Sequence, residues 1–109
     1  MNPPYIIDEQ SVLGAMLLSK AAITDVTTVL PSSAAFQLPA HRLIFDRIID
    51  LYQRGQPADP VTVIPELRRR GELAQAGGAA YLHTLLGVVP DPGNTRRYAE
   101  RVANLGGAL

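Results

Sequence analysis

The chain has 109 residues, 47% hydrophobic and 18% charged, with ten Lys and Arg balanced by ten Asp and Glu. That length suits one domain around one hydrophobic core, the composition is too apolar for a disordered chain, and zero net charge excludes a general field that draws in polyanions. The absence of cysteine excludes disulfides, thiol nucleophiles and thiolate metal sites. The start, "MNPPYIIDEQ", has neither the basic residues nor the apolar run of a signal peptide, and no apolar stretch approaches membrane-spanning length. A soluble, cytoplasmic protein is expected.

The first seven residues are read as a flexible arm, residues 8–105 as one helical domain and residues 106–109 as a frayed tail. In "DEQSVLGAMLLSK" the acidic start suits a first helical turn, and Val12, Leu13, Met16 and Leu17 share one face. "AAITDVTTVL" repeats the pattern with Ile23, Val26 and Leu30, although Thr27, Thr28 and Val29 are β-branched and lower its helix propensity. Pro31 closes it, and "PSSAAFQL" reads as a loop.

"PAHRLIFDRIIDLYQRG" is the clearest element. Pro39 suits a first helical turn and Gly55 a C-terminal cap. At about 100° per residue, Ile44, Phe45, Ile48, Leu51 and Tyr52 occupy roughly a third of the circle, and Arg42, Asp46, Arg47, Asp50 and Arg54 fill the opposite arc. Pro57 and Pro60 then forbid a continuous helix from Gln56. Thr62 is the expected cap of the next helix, which would put Pro65 at about the third helical position, where its missing N–H breaks no bond. Arg68, Arg69 and Arg70 form the last turn before Gly71.

"GGAAYLHTLLGVVP" reads as a short helix with Tyr81, Leu82, Leu85 and Leu86 inward, started by Gly77 and Gly78 and stopped by Gly87 and Pro90. "DPGNTRRYAERVANL" begins at Asp91, with Pro92 at the first helical position, or at Asn94, and sets Tyr98, Val102 and Leu105 on one stripe. The class is all-α, a compact bundle of about six short helices joined by loops of a few residues. "VTV" is too short, and too close to Pro60 and Pro65, to carry a sheet.

Catalytic frames are missing. A P-loop needs a glycine-rich loop followed by Lys and Ser/Thr to cradle phosphates, and the single lysine, Lys20, has no glycine frame. His41 and His83 have no histidine or acidic neighbour at ligand spacing, so both read as structural, with His41 on the first turn of its helix retained as a contact for a loop or a partner protein. Ser32 and Ser33 lie outside any nucleophile-elbow setting. No cofactor and no metal are expected.

The three arginines at 68–70 fan over about 200° of a helix, so at most two can follow one phosphate track. Cations in a last turn also complement the helix dipole, and Glu66 and Glu72 bracket the run. Tyr81 and Tyr98 could stack on bases, but aromatics spaced with leucine and valine read as core. Tyr98, Val102 and Leu105 lie late in the chain, where little sequence remains to cover them. An exposed stripe there would be a self-association surface.

Taken in order, "DEQSVLGAMLL", "PAHRLIFDRIIDLYQRGQPAD", "VTV" with "ELRRRGEL", "GGAAYL" and "VPDPGNTRRYAERV" resemble the N-terminal domain of replicative DNA helicases of the DnaB type, from Asp8 to about Val102. The resemblance implies a non-catalytic helical head that stands before a linker and an ATP-hydrolysing motor. It also implies that heads pair within a hexameric ring and help to contact primase and loading factors. Three features depart from the family pattern: "AAFQLPAH" lacks the usual acid before Phe36 and the basic residue after it, Pro60 and Pro65 replace apolar or helix-forming residues, and "PDPGN" stands where "PTAAN" is usual. The chain stops where the family continues, as an excised fragment or a stand-alone head would.

The leading expectation is a head domain forming a homo-dimer or higher oligomer and docking a primase or loader. Alternatives are a regulator that binds a helicase ring, and a DNA-binding module using Arg68, Arg69, Arg70, Arg96, Arg97 and Arg101.

Overall fold

A computed structural model describes residues 3–88 and 92–107. It contains six α-helices, α1 (Pro4–Leu18), α2 (Lys20–Val29), α3 (Pro39–Gln53), α4 (Pro60–Arg69), α5 (Ala79–Leu86) and α6 (Thr95–Gly107), with 3-10 turns at Ser33–Ala35 and Pro92–Asn94. No strand occurs among the described residues, as the all-α reading expects.

Helix α1 is the axis of the domain. Residues Ser11 to Leu17 are buried without interruption, because α2, α3, α5 and α6 all pack against it. Its start corrects the expectation of a flexible arm through residue 7. Pro4, preadapted to a first turn by its fixed φ, begins the helix, so Asp8 and Glu9 lie inside it. Residues 1–2 of that arm lie outside the described residues.

Ser19 alone separates α1 from α2. Its extended backbone breaks the helix, its N–H donates to the Ala15 carbonyl, and its Oγ accepts from Ala22 N. The β-branched residues of α2 are accommodated by local bonding, with Thr27 Oγ1 and Thr28 Oγ1 both donating to the Thr24 carbonyl. The anticipated inward residues Ile23, Val26 and Leu30 are all buried.

Helix α3 opens on Pro39. It closes at Gly55, whose N–H donates to Tyr52 O while Gln56 N–H donates to Leu51 O, the paired bonds of a Schellman cap. Helix α4 closes in the same way at Gly71, with bonds from Gly71 N to Arg68 O and from Glu72 N to Leu67 O. Gly71 takes a φ of 71°, which a side chain would disfavour.

The start of α4 differs from expectation. Asp59, not Thr62, is the cap, and its carboxylate accepts from Thr62 N at 3.1 Å. Pro60 therefore occupies the first turn and Pro65 falls inside the helix. Proline there cannot donate to the carbonyl four residues back, which belongs to Val61. Val61 and Pro65 both lie on the exposed face, so the interrupted bond falls on the solvent side, where helices tolerate it best.

Helix α5 begins after Gly78 and ends at Gly87; Pro90, its anticipated stop, lies outside the described residues, as does Asp91. Helix α6 begins at Thr95, directly after Asn94. It folds back on α1, α2 and the 3-10 turn at Ser33–Ala35. Its end corrects the expected frayed tail at 106–109, since Gly106 is helical and a Cβ placed on it would sit 2.6 Å from the Ala35 carbonyl oxygen. Residues 108–109 lie outside the described residues.

Candidate interaction surfaces and the buried polar staple

His41 does not face a partner. It is fully buried, which corrects its reading as a contact residue. Its Nδ1 lies 2.7 Å from Glu9 Oε1, and its Nε2 is hydrogen-bonded to Tyr81 OH, which also accepts from Gln10 Nε2 at 3.1 Å. Glu9 Oε2 accepts from Gln37 N at 2.6 Å. A neutral imidazole carrying its proton on Nδ1 satisfies every member: it donates to the carboxylate and accepts from the phenol.

The staple therefore joins α1, the loop before α3, α3 and α5. Burial holds the Tyr81 phenol above its ordinary pKa, with the Gln10 hydrogen bond working the other way and the Glu9 charge adding to the rise. Two aromatic contacts support it: the Tyr81 ring lies nearly parallel to His41 at 5.9 Å, and Phe36 approaches His41 edge-on at 6.4 Å. Gly77 makes room, because a Cβ there would meet Tyr81 Cδ2 at 2.8 Å and its φ is +102°.

The arginine run divides. Arg69 Nη2 donates to Glu66 Oε1 at 2.6 Å, Arg70 Nε to the same oxygen at 3.0 Å, and Arg70 Nη2 to Asp50 Oδ2 at 3.1 Å. Arg54 reaches Asp50 and Glu66 from α3. The hydrogen bonds from Arg69, then Arg70, hold the Glu66 carboxyl down to a pKa of about 2. Arg70 thus ties α4 to Asp50 of α3, whereas Arg69 pairs within α4 and joins this ionic seam only through the shared Glu66. Arg68 is exposed and has no ion-pair partner among the described residues.

On α6, Arg101 lies 3.3 Å from Asp8 and Arg96 4.0 Å from Glu100, while Arg97 is exposed without an ion-pair partner among the described residues. Burial raises the Asp8 pKa and Arg101 offsets part of that rise. The six arginines are not gathered into one basic track: Arg69, Arg70, Arg96 and Arg101 each face a carboxylate.

The α6 stripe also reads differently in three dimensions. Tyr98 and Val102 are 9% and 3% exposed and belong to this chain's own core, which corrects their reading as a free surface. α1 and α2, the earliest helices, supply the cover. Leu105 is 38% exposed and lines a shallow groove with Pro4, Tyr5, Asp8, Arg101 and Asn104.

A deeper concavity of about 350 Å3 lies where the α1–α2 corner meets the α3–α4 connection. Sequence reasoning missed it, although a signal existed. At about 100° per residue, Leu18 falls opposite the stripe of Val12, Leu13, Met16 and Leu17, and it is 58% exposed. Among the described residues no group of three or more His, Cys, Asp or Glu is placed to hold a metal, and no helix is long and apolar enough to cross a membrane.

Helices α2, α3, α5 and α6 packed around α1, with an internal polar staple pinning α1, α3 and α5, define a small all-α domain. Residues 2–104 match the family described as "DnaB-like helicase N terminal domain", and the chain belongs to that family. It is 55% identical over 101 residues to the replicative DNA helicase DnaB of Mycobacterium leprae, covering 93% of this chain and 17% of that protein. It is 48% identical over 103 residues to the corresponding helicase of Leifsonia xyli, covering 94% and 22%. The chain thus spans about a fifth of the length of these relatives. The crystal structure of the N-terminal domain of DnaB helicase from Mycobacterium tuberculosis superposes with a TM-score of 0.91 at 52% identity, covering 94% of this chain and 74% of that one.

Proposed function

We propose that this chain is a non-catalytic head of a replicative helicase system, which self-associates and docks replication proteins such as a primase or a helicase loader. The carrying observation is the match of residues 2–104 to the N-terminal domain family, with more than half of the positions identical to one replicative helicase. The sequence adds support, since no segment of these residues has the glycine-rich frame that phosphate chemistry requires.

Self-association is assigned to the end of the domain where Leu105 and Tyr5 share a groove, because Tyr98 and Val102 are already used internally. Sedimentation at micromolar concentration, alone and with purified primase or loader, tests both parts. A concentration-dependent dimer and a co-sedimenting partner are expected. A strictly monomeric species removes the first part, and independent migration of both partners removes the second.

A further inference from the structure

We propose that the concavity between the α1–α2 corner and the α3–α4 connection receives a partner segment that presents aliphatic side chains beside carboxylates. This deepens the docking role proposed above and rests on it. Met16, Leu17 and Ile23 form an apolar base, Tyr52 and Pro57 line the wall, and Leu18 stands at the mouth. Leu18 and Val61 are the two most exposed large apolar side chains among the described residues, at 58% and 81%. An exposed leucine beside an apolar hollow is the arrangement that burial by a partner stabilises.

Charge selects the occupant. Lys20, the only lysine of the chain, lines this concavity, is exposed and has no ion-pair partner among the described residues. It is also the first residue of α2, where the helix dipole adds positive potential. Ser19 Oγ accepts only the Ala22 N–H, and the N–H groups of Lys20 and Ala21 have no acceptor within the helix. The one acid of the lining, Asp59, is committed to Thr62 N at the start of α4 and sets its charge against that helix's own dipole. The α2 side of the mouth is therefore positive, with Asp59 across the lining on the α3–α4 side, and a carboxylate is the complement of Lys20.

A second copy of this chain fits the concavity poorly. An isologous pairing through this face would gather both copies of Lys20 and of the α2 N-terminus into one interface. The occupant is a segment of another protein, with aliphatic residues on one side and Asp or Glu flanking them.

The test uses the full chain and two short fluorescein-labelled amphipathic peptides with leucines at i, i+3, i+4 and i+7, one with glutamate at the remaining positions and one with lysine. The glutamate peptide is expected to bind and to move the amide resonances of Lys20, Ile23 and Gln56. Its affinity falls about tenfold in Leu18→Asn and in Lys20→Glu, and Lys20→Glu instead favours the lysine peptide. Both substitutions lie at exposed positions, and circular dichroism verifies that the fold is kept. Equal binding of the two peptides by the parent chain, or shifts centred on the Leu105 groove, overturns the proposal. If primase or loader binds the parent and both variants equally, the docking role stands and only this site is rejected.

Discussion

Glu9 Oε1 and His41 Nδ1 meet at 2.7 Å with both side chains out of solvent, although the residues are 32 positions apart in the chain. Removing either member leaves the other polar and buried. Glu9→Ala and His41→Ala are each expected to lower stability by about 3 kcal/mol, while Tyr81→Phe, which deletes one hydroxyl, costs about 1 kcal/mol. Urea denaturation of the single variants and of the Glu9/His41 double variant measures this. A double-variant loss equal to the sum of the singles would show that the pair does not act as a unit.

Acid should weaken the α3–α4 seam. The Glu66 carboxyl is held near pKa 2 in the fold, against an ordinary value of 4.5. The unfolded chain therefore binds this proton first as the pH drops, and the stabilisation, complete above 4.5, is lost as pH falls toward 2. Glu66→Gln is expected to be less stable than the parent at neutral pH, with the gap closing between pH 4.5 and 2. Thermal midpoints across that range decide it, and a gap independent of pH contradicts the assignment.

Gly77 and Gly71 separate two costs that are usually confounded. Both have positive φ, but a Cβ at Gly71 meets nothing within 4 Å, whereas one at Gly77 runs into the Tyr81 ring. Gly71→Ala should cost about 1 kcal/mol, the backbone penalty alone. Gly77→Ala should cost more, about 2–3 kcal/mol, because it adds a clash beneath the staple. Equal losses in chemical denaturation would contradict the packing role of Gly77.

Pro65 sits inside α4 on its exposed face. Pro65→Ala restores a backbone donor toward Val61 and removes a ring from the preceding turn, a gain of up to about 3 kcal/mol. The freer unfolded chain offsets roughly 1 kcal/mol of it. A net rise of about 1–2 kcal/mol in unfolding free energy is expected, and an unchanged or lowered midpoint would show that the proline ring itself is needed at this position.

Periodicity alone makes α3 legible, because Ile44, Ile48 and Leu51 segregate cleanly from Asp50 and Arg54. It could not reveal the role of His41, whose partners Glu9 and Tyr81 are supplied by other helices at 32 and 40 residues' distance. The role of Glu9 is hidden for a related reason: an acid early in a helix suits the dipole, and only the folded chain shows its carboxylate turned inward to Gln37 N. The same holds for Tyr98 and Val102. Their stripe was visible, but that α1 and α2 cover it is a property of topology. At α4 the expected cap, Thr62, gives way to Asp59, which lets Pro60 take the first-turn position that suits proline.

Gly106 rests on Ala35 with no space for a methyl group between them. Ala35 is joined through Phe36 to Gln37, whose amide is held by Glu9. A tilt applied to the far end of α6 therefore cannot be absorbed by sliding one side chain over another, because the contact is made by backbone. It drags the 3-10 turn, and with it the anchorage of the staple, so that end of the domain behaves as a stiff lever rather than a hinge.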